Sequence, residues 1–83
     1  MKTYFVSCVV KYKDFDEFGM PIIEEEGYNY IVHALTERGA KENAVVMAMN
    51  DIKNEVPQLD TFPFDIMGVD IEDCYQTTED ARL

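Results

Sequence analysis

Calcium binding is the first chemistry that residue type and spacing suggest. Counting Asp14 as position one, Asp16, Gly19 and Glu25 fall at positions three, six and twelve of a twelve-residue calcium loop. Position five is Phe18, which brings no ligand oxygen, and the flanks alternate like strands where such a loop needs helices. A calcium- or metal-responsive protein therefore stands only as an alternative, and no metal ligand is assigned. His33 is the single histidine, and its spacing provides neither an orienting carboxylate nor a nucleophile. Cys8 and Cys74 lie far apart, with no C-x-x-C and no neighbouring histidine, so two reduced thiols packed as small apolar groups are expected. No glycine-rich phosphate loop, H-E-x-x-H or zinc-type Cys/His cluster is present. Carboxylates that perform catalysis need a pocket to perturb them, and 83 residues with one helix leave little room for one. The expectation is a protein with no catalytic residues and no cofactor, not an enzyme.

What remains is the placement of charge. Seventeen acids against seven bases give a net charge of −10. From Asp14 to Glu26 there are six acids, Asp14, Asp16, Glu17, Glu24, Glu25 and Glu26, and no base. From Asp60 to Asp80 there are seven, among them Asp70, Glu72 and Asp73, and again no base. The segment between them is nearly balanced. Such a chain is expected to avoid nucleic acid and anionic membranes, because Lys and Arg supply most of the affinity for phosphates. Its electrostatic complement is a basic protein surface. The nine residues Asp14, Asp16, Glu17, Glu24, Glu25, Glu26, Asp70, Glu72 and Asp73 are the candidate partner contacts.

The elements that position these groups can be read from periodicity. Thr3 to Lys13 alternates as a strand, with Tyr4, Val6, Cys8, Val10 and Tyr12 on a continuously apolar face and Phe5, Ser7, Val9 and Lys11 on a mixed one. Residues 14–21 form a connection with Gly19 and Pro21 as punctuation. A second extended segment comes next, broken at Glu24–Gly27 and regular from Tyr28 to Leu35, so that the two strands make a hairpin with an irregular acidic end. Thr36 is placed to cap a helix over Glu37 to Glu55, whose apolar stripe is Ala40, Ala44, Val45, Ala48, Met49, Ile52 and Val56. Pro57 ends it. After a loop over Gln58 to Pro63, a third strand runs from Asp65 to Tyr75, with Met67, Val69 and Ile71 on one face and Ile66, Gly68, Asp70 and Glu72 on the other.

The fold class is α+β, order β-β-α-β: a three-stranded, mainly antiparallel sheet with one amphipathic helix packed on one face. Residues 1–76 form a single domain and 77–83 a polar, frayed tail. One helix covers one face, so the other face, with Phe5, Val9 and Ile66, is expected to meet a second copy or a partner. In size, charge and layout the chain resembles the small accessory proteins of phages, including inhibitors of host defence. That resemblance implies a small acidic inhibitor docking on the nucleic-acid-binding surface of a nuclease or effector complex, in the anti-CRISPR or anti-restriction style, where it mimics nucleic acid. A homodimeric assembly protein is the alternative from another class. No apolar run approaches the roughly 20 residues needed to span a bilayer, and no signal-peptide pattern is seen. The expected location is the cytoplasm, the host's if the protein is viral.

Overall fold

The computed structural model describes residues 1–56 and 65–77. Four elements succeed one another in the order β1 (Lys2–Phe15), β2 (Pro21–Ala34), α1 (Glu37–Glu55) and β3 (Ile66–Gln76). The sheet order is β2-β1-β3, and β1 pairs antiparallel with both neighbours. β2 and β3 therefore run parallel to each other with β1 between them, and α1 makes the crossover. The loop over residues 58–63 and the tail beyond Thr77 lie outside the described residues.

The core forms where the apolar face of β1 meets the small side chains of α1. Tyr4, Val6, Cys8, Val10 and Tyr12 are all buried, as are Ala40, Ala44, Ala48, Ile52 and Val56. Three alanines on the inner stripe let the helix approach the sheet closely, and Ile52 supplies the largest fully buried side chain. Two clusters result. One holds Tyr4, Val6, Val32, Ala34, Ala40 and Ala44; the other holds Cys8, Val10, Tyr12, Ala48, Ile52 and Val56. Thr36 caps α1 in extended conformation, its Oγ1 accepting from the Gly39 N–H at 3.1 Å. Both cysteines are free thiols, Cys8 buried and Cys74 half-buried, on the helix-covered face. No helix among the described residues is long and apolar enough to cross a membrane.

The hairpin is longer and more regular than expected. The strands pair without a register shift from Lys2↔Ala34 to Phe15↔Pro21, straight through Glu24, Glu25, Glu26 and Gly27. The expected break at Glu24–Gly27 is not there. The connection shrinks to a three-residue loop, in which Gly19 N–H donates to Asp16 O (3.0 Å) and Asp16 N–H donates to Met20 O (2.9 Å). Asp16 Oδ1 accepts from the Phe18 and Met20 N–H groups, both at 2.9 Å. Gly19 takes φ 79°, the left-handed residue that such a type I turn with a bulge requires. The turn chemistry of Asp16 and Gly19 thus closes the hairpin tightly enough to keep both strands in register.

β3 departs from simple alternation. Its register with β1 shifts between Ser7 and Cys8 and between Lys11 and Tyr12, leaving Glu72 and Met67 as the extra residues. Each shift inverts the facing of the residues beyond it. Ile66 consequently sits opposite Tyr12 and packs on the core beside Val69 and Ile71. This corrects the expectation that Ile66 belongs to the open face with Phe5 and Val9, and likewise the grouping of Met67 with Val69 and Ile71.

Candidate acidic docking site

β3 ends its pairing with β1 at Tyr12↔Ile66 and Lys13 N–H→Asp65 O (2.8 Å). Beyond that level, among the described residues, β1 and β2 continue as a two-stranded arm of about 17 Å, five residues at about 3.4 Å each. The molecule is correspondingly elongated, 48 × 22 × 19 Å. The arm carries Asp14, Asp16 and Glu17, with Glu24 level with its foot and Glu25 and Glu26 one and two pairs further in, where β3 still flanks β1. It also carries the strongly exposed apolar side chains of Phe15, Phe18, Met20 and Ile23, Phe18 at 82% exposure.

Register decides which acids act together. On the helix side of the sheet, Val10 faces Glu26, Tyr12 faces Glu24 and Asp14 faces Ile22. Asp14, Glu24 and Glu26 therefore share a face, and the C-terminal end of α1 brings Glu55 to the same place. The Tyr12 phenol registers this: burial raises its pKa first, then the charges of Glu24, Glu26, Asp14 and Glu55. Four carboxylates thus gather around one tyrosine, beside the negative end of the helix dipole. The basic residues at this level, Lys11 and Lys13 of β1, occupy odd positions and lie on the opposite face.

That opposite, open face carries Glu25, Asp70 and Asp73, across from Lys11, Val9 and Ser7 respectively. Lys11 stands between Glu25 and Asp70, with its Nζ 3.6 Å from an Asp70 oxygen. The described acids of the two sequence blocks are thus divided between faces and between the two edge strands. Same-face residues along a strand are about 6.8 Å apart, whereas duplex DNA carries one charge per about 1.7 Å. A continuous phosphate-like ladder is not assembled by these residues. Asp60, Glu79 and Asp80 lie outside the described residues.

Arg38 and Lys41 pair within α1, with Glu42 at 3.5 Å and Glu37 at 3.2 Å. No salt bridge among the described residues reaches Glu24, Glu25 or Glu26. The calcium-loop spacing is not realised in space: Asp14 and Glu25 point to opposite faces of the hairpin, and the Asp16 carboxylate is engaged by two backbone N–H groups of the turn. No group of three or more metal-ligating side chains forms among the described residues. His33 lies on the open face, its Nδ1 3.1 Å from the Thr3 hydroxyl.

On the open face, away from the arm, Phe5 and Tyr75 are in ring contact at 5.2 Å, and Ile31 lies across from Phe5 on the other edge. Ile31 and Tyr75 are about half exposed. With Val9 they form a modest apolar patch. Sequence reasoning missed the contribution of Glu55, which it counted within a balanced helix, and the apolar tip of the arm. Both result from register: a three-residue loop at 17–19 forces Tyr12 opposite Glu24, and only that pairing brings Glu55 alongside. Comparison with protein-family models, curated proteins and solved structures finds no match for this chain.

Proposed function

We propose that this is a non-catalytic protein-binding module that docks its acidic arm on the basic, nucleic-acid-binding surface of a partner, in the manner of a small inhibitor of a nuclease or effector complex. The observation that carries this reading is the gathering of Asp14, Glu24, Glu26 and Glu55 around Tyr12 on a face where the arm has no base. The carboxylates would steer approach and set orientation. Phe15, Phe18, Met20 and Ile23, exposed along the same arm, offer apolar anchors of the kind that dominate interface energetics. The division of acids between two faces favours a module that inserts between basic walls over one that lies flat on them. The cytoplasm, where nucleic-acid-binding proteins are abundant, is the proposed location.

The test is affinity capture from lysate with wild-type protein and with E24K/E25K/E26K, followed by competition. The expected result is a wild-type-specific partner that is released by raised salt and displaced by its own nucleic acid. A partner held equally by the charge-reversed variant would remove the reading.

A second reading, a homodimeric assembly protein, draws on the patch formed by Phe5, Val9, Ile31 and Tyr75. It requires a dimer in sedimentation at micromolar concentration and a monomer for F5E.

A further inference from the structure

The two edges of the sheet are not equally protected. β3 is interrupted by two register shifts, a device that spoils an edge as a template for another strand. β2 has none along fourteen consecutive pairs, and only Pro21, at its very start, lacks an N–H. The direction of its free backbone groups is set by the ladder. Asp16 N–H bonds to Met20 O, so even-numbered pairs exchange the β1–β2 hydrogen bonds. The other side of β1 agrees, since Lys13 N–H and Thr3 C=O, both odd, bond toward β3. The N–H and C=O groups of Ile23, Glu25, Gly27, Asn29, Ile31 and His33 therefore point outward from β2, and no described strand pairs with them.

We propose that the outer edge of β2 takes up an extended, lysine- or arginine-rich segment of the partner as a fourth strand. This rests on the reading of the protein as an acidic docking module and gives it a mode of attachment. The edge supplies the site, a row of backbone donors and acceptors at odd positions. Charge selects the occupant: a strand laid along it would place one basic side chain opposite Glu25 on the open face and its two neighbours opposite Glu24 and Glu26 on the helix side. Gly27 fits the same use. It sits at an outward-bonding position with ordinary strand backbone, and open space surrounds the place where a Cβ would stand, so neither turn geometry nor packing calls for glycine there. Glycine inside a strand is a mark of close backbone approach.

The experiment uses the full chain and a capped octapeptide with three central lysines flanked by valine and threonine. Two further versions are N-methylated on alternate residues, one version for each set of amides. The unmodified peptide should slow amide hydrogen exchange at Glu25, Gly27 and Asn29. One methylated version should bind about tenfold or more weakly, through loss of several hydrogen bonds, while the other binds like the parent. Equal binding of both methylated versions, or no binding by the parent, overturns the proposal. So does a sedimenting dimer in which those amides are already protected without peptide. Methylation-sensitive binding that persists in E24K/E25K/E26K means strand addition without charge selection, which overturns the basic occupant together with the acidic-docking reading; methylation-insensitive binding lost in that variant overturns strand addition and leaves acidic docking standing.

Discussion

Tyr28 and Tyr30 tie the sheet to the helix with two polar contacts. The Tyr28 hydroxyl donates to Glu55 at 2.7 Å and the Tyr30 hydroxyl to Asp51 at 2.5 Å, and the two rings stack at 6.1 Å. Burial raises both phenol pKa values, and the hydrogen-bonded carboxylates raise them further. A raised folded pKa means that the phenols keep their protons more tightly in the fold than in the unfolded chain, where they titrate near about 10. Their contribution is complete below that pH and is lost as pH climbs through the raised folded values. The thiols of Cys8 and Cys74, raised chiefly by burial, shift the same way from a lower start near about 8.5. The urea midpoint should therefore decline modestly above about pH 8.5 and steeply above about pH 10. In Y28F/Y30F the steep part should flatten, while stability at neutral pH drops by about 1 kcal/mol per lost hydrogen bond. At this scale the sequence is partly legible. Thr36 and Gly19 announce a cap and a turn by chemistry alone, but nothing in the spacing of Tyr28 and Glu55 says that a strand tyrosine will reach a helix carboxylate.

At the scale of elements, the helix is the easiest part to foresee, since its boundaries are set by a cap, a stripe and a proline. Replacing Ile52 with alanine should cost about 2–5 kcal/mol in chemical denaturation, because the side chain is fully buried between α1 and β1. Replacing Gly19 with alanine should cost about 1–2 kcal/mol from its left-handed backbone, with no loss of packing. The strands are harder for a physical reason. Alternation gives facing only while register is unbroken, and the shifts at Met67 and Glu72 invert it twice within eleven residues. Plain alternation puts Ile66 on the wrong face on that account. Conversely, Glu24–Gly27 looks like an interruption because glutamates and glycine are poor strand formers, yet pairing with Val9–Tyr12 holds that segment extended.

For the molecule as a whole, the acidity bears on stability as well as on the proposed docking. Each glutamate-to-lysine reversal changes the charge by two, so E24K/E25K/E26K moves the net charge from −10 to −4. Self-repulsion falls with it, and this variant should be at least as stable as the wild type while its association rate with a basic partner drops. Added salt should raise the wild-type urea midpoint and slow the same association, opposite responses measurable in parallel. The segregation of acids in the sequence anticipates the arm. It does not anticipate that β1 divides them between two faces and two edges, which is a property of pairing rather than of composition.

β1, first in chain order, is the strand to which both others attach. Its contacts with β2 close across a three-residue loop, but those with β3 start only at Ile66, after the helix has crossed over. One flank of β1 therefore stays bare until the crossover is in place, and the closing step is a long-range one, slow relative to hairpin formation. The order of opening should mirror this, with the β1–β3 seam parting before the hairpin does.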